Sequence, residues 1–504
     1  MKKIITLIIL VAVISFAANA QTNVSGGIYN NTTWTLANSP YIVTDTVVVF
    51  PGVTLTIEPG VTVKFEDGKY IQIRQGTLIA TGTATDSITI TSNSVSPTKG
   101  IYRGFQFTNP GAIAIDYCIF KYADNPLDYC CLTIDTLFIK HSYFYMNNKC
   151  LSGNYSKTAI SESSFYNNTY CIDYSPHLIS VRKSLFQNNI NCFGDNNNEE
   201  VENLVLDSCS FISNTIAAHI GRTCLVTNCV LVDNTVAFNI EGDLSFANHT
   251  IKNSTFCRNG SGIWSIYSSV TNSDTLINCN FSNNGSAYVS MVAYMTGNIF
   301  TDNNTAVDFR IRPTDSIFNN YIFHNRIGIV YRGGATSTFF NNYICNNSDY
   351  NINYLTSLNG SIPPVCFCDT DSLIIRSKIY DGYVDITRGL LSFIPVIQCD
   401  SSVITSLLPI SCPAAIVTGI DKNSASETMM DIYPNPATHA FTIRNILSNK
   451  SSLLQIINLI GEIVYTENIS GRNEVVVDAK LSPGIYIVHV GNKEKNIVAK
   501  LVVE

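Results

Sequence analysis

Between Cys118 and about Tyr350 the chain repeats itself, and a repeat narrows the choice of fold more than any other sequence feature. Aligned on Phe120, Phe144, Phe165, Phe186, Phe211, Leu231, Phe256, Phe281, Phe300, Ile322 and Ile344, the copies are spaced by 24, 21, 21, 25, 20, 25, 25, 19, 22 and 22 residues. Two residues before every anchor stands Cys, Ser or Asn, from Cys118 to Asn342. Three residues after it, ten of the eleven copies carry Asn, from Asn147 to Asn347, with Ala123 the exception. Six residues after it, nine of eleven carry Cys, Ala or Gly, beginning with Cys150, Cys171 and Cys192.

A unit of this length cannot bury its own apolar side, so the copies must stack. Side chains alternate along a strand, which puts each anchor and the residue two before it on one face. Coils about 4.8 Å apart then line up equal residues as an aromatic row, a Ser/Cys row and an Asn ladder. The Asn is expected to turn the chain, because it tolerates left-handed backbone and bonds its own backbone. These features predict an all-β chain built on a right-handed parallel β-helix with coils of about 22 residues. A leucine-rich repeat would need a Leu-x-x-Leu-x-Leu core, which no copy contains.

Residues 1–20 have the form of a secretory signal peptide: Lys2 and Lys3, an apolar run from Ile4 to Phe16, and a cleavage site at Ala18-Asn19-Ala20. The run is too short for a transmembrane anchor, and no later stretch is long and apolar enough to span a bilayer. With 38 acidic against 31 basic residues and a net charge of −7, the chain lacks the basic surplus of a nucleic-acid binder. Sixteen cysteines in an exported chain permit disulfides. Cys150, Cys171 and Cys192 nevertheless fall on one corner of successive coils, where they read as small buried hydrophobes. Cys366, Cys368, Cys399 and Cys412 lie outside the repeat, and four cysteines admit three pairings. A zinc site is disfavoured there, since Cys366-Phe-Cys368 is too tightly spaced and no His lies nearby. No motif calls for a cofactor.

From Thr33 to Ser92 short alternating strands are split by Pro-Gly and Gly, as suits the first coils of the same stack. Trp34, Pro40-Tyr-Ile-Val43, Gly52 to Phe65 and Gly76 to Gly82 resemble the opening of secreted β-helix proteins of the Bacteroidota. With the Asn-bearing coils, the likeness covers roughly residues 22–400. Similar proteins close with an Asn-Trp-Trp-Gly motif, an Ile-Tyr-Asp and a Phe-x-Pro element. This chain keeps Ile379-Tyr-Asp381 and Phe393-Ile-Pro395, and puts Cys366-Phe-Cys368 where the aromatic motif would be.

Residues 413–430 read as a linker. Beyond them, strands with turns every 8 to 12 residues suit a small immunoglobulin-like sandwich. Tyr433-Pro434-Asn435-Pro436, the turn at Gly461 and the Pro483-Gly484-Ile-Tyr486 hairpin closely resemble the type A C-terminal sorting domain of the type IX (Por) secretion system. That resemblance implies a translocon as partner, removal of the domain by a sortase-like peptidase, and often attachment to surface lipopolysaccharide. The expected order is therefore a signal peptide (1–20), a β-helix with a Cys-bearing end (21–412), a linker (413–430) and a sorting domain (431–504).

Parallel β-helices frequently host polysaccharide lyases, hydrolases and esterases. The Asn-Thr-Asp, Asp-Asp and Gly-His-Gly signatures of β-helical polygalacturonases are absent here. One patch emerges from register: Asp308, Arg310 and Arg312 alternate outward, and Arg332 and Tyr354 follow Arg310 at 22-residue steps. Stacked arginines offer bidentate forks for a uronate carboxylate, whereas the plainer reading is a solvated ion pair. His219, His249 and His324 share no row and read as structural. Two function classes follow: a non-enzymatic, glycan-binding or adhesive surface protein, or a lyase or esterase acting on an acidic glycan.

Overall fold

The computed structural model describes residues 21–503 except 131–135, 154–156, 174–177, 195–200, 243–247, 268–272, 291, 310–314, 333–337, 401, 408–411, 413–430, 434–436, 439, 445–452, 459–462, 470–471, 473, 483 and 492–495. The chain divides into two compact units, Met1–Ile416 and Val417–Glu504. Residues 1–20 and 413–430, expected as a signal peptide and a linker, lie outside the described residues.

In the first unit each strand pairs in parallel with the strand one coil later. The coils present three stacked sheets. Leu137–Lys140, Thr158–Ser161 and Ile179–Arg182 belong to the first. The second holds short strands such as Tyr143–Tyr145, Ser164–Tyr166 and Leu185–Gln187. Lys149–Gly153 and Tyr170–Asp173 belong to the third. This is the parallel β-helix that the repeat predicts. Its coils begin before the repeat, since Leu55 pairs with Leu78 and Val63 with Ile90.

The stack ends earlier than the sequence suggests. The last parallel rung of the three sheets joins Asn353 to Tyr380, not residues near 400. A helix, Ser372–Ser377, capped by the Asp371 carboxylate, leads into that last strand. Ile375, Leu391 and Phe393 bury themselves against the last coils there, covering apolar surface that one more coil would otherwise bury.

Registered stacking shows most clearly at the anchors. Phe144, Phe165 and Phe186 lie with ring centroids 4.7 Å apart and planes within 2° of parallel, all fully buried. Flanking this stack run two polar ladders. In the Asn ladder, Asn168 Nδ2 donates to Asn189 Oδ1 at 3.1 Å and to the carbonyl of Phe144 at 3.0 Å. Its own backbone N–H donates to the same Asn189 oxygen at 2.9 Å. The pattern repeats from Asn147 through Asn325 to Asn347. In the other ladder the backbone N–H of Ser142 donates to Ser163 Oγ, and that of Asn298 to Asn320 Oδ1. Each ladder side chain thus satisfies backbone donors that a buried corner would leave unpaired.

The ladder Asn does not itself take the left-handed backbone. That conformation falls on the residue just before it, as at Met146, Asn167, Asn188 and Asp233, and on the residue three before the anchor, as at His141, Glu162 and Lys183. The Asn side chain is committed to the ladder, so the turn passes to a neighbour whose side chain points to solvent. Non-glycine residues pay for left-handed backbone, and two such corners per coil persist because the ladder bonds hold them.

The second unit comprises two antiparallel sheets. One joins Asp431–Tyr433, Ala440–Arg444 and Glu474–Asp478. The other joins Ile463–Asn468, Leu453–Asn458, Gly484–Gly491 and Asn496–Val503. Phe441 and Ile443 from the first share one core with Leu454, Ile456 and Val488 from the second. Of the sorting-motif residues, Tyr433 begins this unit in a strand and Tyr486 is buried, its hydroxyl donating to the carbonyl of Ser482 at 2.7 Å. Gly484 opens a strand, while Pro434, Asn435, Pro436, Gly461 and Pro483 lie outside the described residues.

Candidate functional site

The outer face of the third sheet carries the arginine patch expected from the sequence, in altered form. Asp308 pairs with Val330 and Phe309 with Tyr331, which brings Arg332 beside Asp308 from the next coil. Arg332 Nε donates to Asp308 Oδ1 at 2.7 Å and Nη2 to Oδ2 at 2.8 Å. That fork raises the guanidinium pKa above its usual value, mainly through the Asp308 hydrogen bond. Arg332 remains 43% exposed and Asp308 only 16%. Arg310 and Arg312 lie outside the described residues.

Tyr354 is not part of this face. It pairs with Tyr331, one residue short of the Arg332 row, because this coil advances 23 residues instead of 22. A slip of one residue moves a side chain to the opposite face of a strand. Tyr354 is accordingly buried, and its hydroxyl donates to the carbonyl of Leu358 at 2.8 Å.

The row of Asp308 holds a residue that the sequence reading passed over. Trp264 pairs with Val289, and Val289 with Asp308, so Trp264 stands in the same outward row two coils earlier, roughly 10 Å away. It is one of two tryptophans in the chain and is 38% exposed. An indole partly bared on a sheet face two coils from an arginine-paired aspartate is the combination a pattern of anchors cannot reveal, since the anchors define only the inner rows.

A second group gathers where coils turn from the first sheet into the second. His141 Nδ1 lies 2.8 Å from Asp116 Oδ1, and its Nε2 lies 3.4 Å from Glu162 Oε2. The ring of Tyr117 stacks on the imidazole at 4.3 Å and 9°. Tyr117, His141 and Glu162 occupy equal positions three residues before successive anchors, so the cluster is legible once that corner row is read. Two further histidines behave structurally: His249 is buried, bonded to Asp274 Oδ1 at 2.9 Å and to the carbonyl of Gly221 at 3.1 Å, and His324 occupies a left-handed corner.

The cysteines divide into two populations. Cys150, Cys171, Cys192 and five other coil cysteines are free and buried. Burial pushes the Cys279 thiol up to about 12 and those of Cys118, Cys171 and Cys224 well above their usual range. A protonated buried thiol is neither nucleophile nor ligand, so these behave as small hydrophobes. The four cysteines outside the repeat are all bonded, but only Cys366 and Cys399 bond each other. Cys368 joins Cys345, and Cys412 joins Cys257, both within coils. None of the three pairings of the four among themselves is therefore realised. The sulfurs of Cys345, Cys366 and Cys368 lie within 4.8 Å of one another, yet as disulfide sulfurs they offer no thiolate for a metal.

Residues 431–504 match the family model of the secretion system C-terminal sorting domain, and residues 26–113 that of the pectate-lyase like beta helix domain. No curated protein and no solved structure matches the chain. Among the described residues no helix is long and apolar enough to cross a membrane. The two matches agree with the two units of the structure, and the chain is a parallel β-helix protein that carries a type IX secretion sorting domain and is delivered through that system to the cell surface or beyond.

Proposed function

We propose that the protein is a non-enzymatic, glycan-binding β-helix, and that the outer face of its third sheet holds an acidic polysaccharide. The supporting observation is the row that runs from Trp264 to Asp308, with the Arg332 fork beside it. An exposed indole offers a flat apolar face to a sugar ring, and a guanidinium pairs with a carboxylate. Asp308 occupies the Nε and Nη2 edge of Arg332, so a uronate would approach the Nη1 side. Coil spacing holds successive contacts about 4.8 Å apart, commensurate with a chain of repeating units. The sorting domain brings the type IX translocon as partner. A sortase-like peptidase and surface lipopolysaccharide complete our reading of its delivery.

The Arg310→Ala/Arg332→Ala variant should bind polygalacturonate at least about tenfold more weakly, the cost of losing a charge-assisted contact of roughly 1.5–3 kcal/mol, and Trp264→Ala, which removes the apolar face, should also bind more weakly. Their melting temperatures should stay at the parent value. Binding equal to the parent in both variants reduces the row to a solvated face.

One observation favours an enzymatic reading as the alternative. Asp116 holds His141 through Nδ1 while Glu162 flanks Nε2, an imidazole–carboxylate cluster of the kind that moves protons in catalysis. Lyase or esterase activity on an acidic glycan would then disappear in His141→Asn while glycan binding persists. An assay for unsaturated and de-esterified products decides it: a parent protein that releases neither ends this reading.

A further inference from the structure

One further rung of the second sheet follows the strand Tyr343–Cys345, and Cys366-Phe367-Cys368 makes it. Cys366 pairs with Tyr343; its N–H donates to the Asn342 carbonyl at 2.9 Å, and its carbonyl accepts from the Ile344 N–H at 2.8 Å. Phe367 belongs to the main core, so alternation sends the sulfurs on either side of it outward. There Cys368 is bonded to Cys345, and Cys366 to Cys399. The two disulfides lie against each other. The sulfurs of Cys366 and Cys368 are 3.8 Å apart, and those of Cys345, Cys366 and Cys368 all lie within 4.8 Å. Access differs between the ends of each bond: Cys345 and Cys366 are buried, whereas Cys368 and Cys399 are half-buried. Cys399 belongs to a segment that returns over the second sheet. Ile404, in the short helix Ser402–Ser406, shares one buried cluster with Phe323, Cys345 and Cys366, and Cys412 closes on Cys257.

A thiolate exchanges with a disulfide by attacking one of its sulfurs, and access decides which sulfur is attacked. We propose that Cys345, Cys366, Cys368 and Cys399 form a thiol–disulfide exchange site whose partner is a dithiol, and that this site fastens and frees the returning segment. The dithiol enters at Cys399, the accessible end of its bond. One dithiol thiolate attacks the Cys399 sulfur, the Cys366–Cys399 bond breaks, and Cys366 leaves as a thiolate. The second dithiol sulfur displaces Cys399 from the mixed disulfide. The dithiol departs as a disulfide, having passed two electrons to the protein. Cys366 then attacks the Cys368 sulfur, 3.8 Å away. The Cys345–Cys368 bond breaks, a Cys366–Cys368 bond forms, and no further electrons move. Cys345 leaves as a thiolate, so the two protons that the dithiol gave up end on Cys399 and Cys345. The Cys345 thiol has an acceptor in place, since its sulfur lies 3.5 Å from the Cys366 carbonyl. After both steps no disulfide joins Cys399 to the second sheet. The Cys257–Cys412 bond and the apolar contacts of Ile404 alone then hold the segment. The inference rests neither on the glycan reading nor on the route of delivery.

The test treats the purified full chain with limiting dithiothreitol, quenches it with acid, alkylates free thiols and maps peptides without reduction. The species expected to dominate has Cys366 joined to Cys368, with Cys345 and Cys399 both alkylated. A map in which Cys366 and Cys399 are alkylated while the Cys345–Cys368 bond persists overturns the proposal. The Cys399→Ser variant poses the same choice with no reductant. Its Cys366 should be recovered bonded to Cys368, with Cys345 a free thiol; a free Cys366 beside an intact Cys345–Cys368 bond overturns the exchange. In Cys366→Ser the Cys345–Cys368 bond should survive the dose that opens it in the parent, and equal loss overturns the route through Cys366. Amide exchange over Ser402–Ser406 should quicken at least about tenfold once the parent site is opened, as local release of a segment requires. Exchange equal to that of the untreated protein overturns the release.

Discussion

Deleting residues 431–504 is expected to abolish surface delivery while leaving a folded β-helix inside the cell envelope. The sorting domain has its own core, built from Phe441, Ile443, Leu454, Ile456 and Val488. The β-helix has a separate core that runs from Trp34 to Phe393. Each unit buries its own apolar surface, so removing one does not expose the interior of the other. On the signal-peptide reading of residues 1–20, the truncated chain still crosses the inner membrane and then stops in the periplasm. Fractionation should find it there, with the parent melting temperature. Fusing residues 413–504 behind an unrelated exported domain should carry that domain to the surface of a host with the type IX system. Surface protein from the parent should end within 413–431 by mass. Normal surface levels of the truncated chain would falsify the assignment of the tail, and so would surface protein that retains Glu504.

The second large effect lies in the aromatic stack. Phe165→Ala should destabilise the β-helix by roughly 3–5 kcal/mol, the range for deleting a buried aromatic side chain. Phe165 has a ring at 4.7 Å on each side, from Phe144 and from Phe186, and no solvent exposure. Neighbouring coils cannot close the gap, because their spacing is set by backbone hydrogen bonds. Asn168→Ala should cost less, about 1–3 kcal/mol, the penalty of leaving buried partners unpaired. The affected groups are the Phe144 carbonyl and the Asn147 amide groups, which Asn168 now satisfies. Denaturant titration of both variants should give that order. An Asn168 variant hurt more than the Phe165 variant would show that the ladder, not the stack, dominates the core.

Both expectations were legible in the sequence, for a physical reason. Inner positions of a β-helix meet the same position of the next coil, so a residue that suits the place once suits it eleven times. Phe, Ser or Cys, and Asn therefore recur at fixed offsets whatever the loop lengths between them. The sorting domain was legible through its resemblance to a known family, carried by short motifs such as Pro-Asn-Pro and Ser-Pro-Gly whose turn chemistry is local.

What the sequence left open depends on contacts far apart in the chain. The outward rows carry no repeated constraint, so one extra residue in a coil took Tyr354 out of the Arg332 row and into the interior. Trp264 joined Asp308 only through two rungs of register. Cys257 and Cys345 look like any other outward position of the repeat; their partners, Cys412 and Cys368, were set by the path of the chain after the last coil of the repeat. The recurrence of residues at fixed offsets determined that this chain stacks coils, and the resemblance of its last segment to a known sorting domain marked the address. Which side chains face solvent together, and which flank the chain end is fastened to, were decided by register and by one returning segment, because both arise only after the coils have closed.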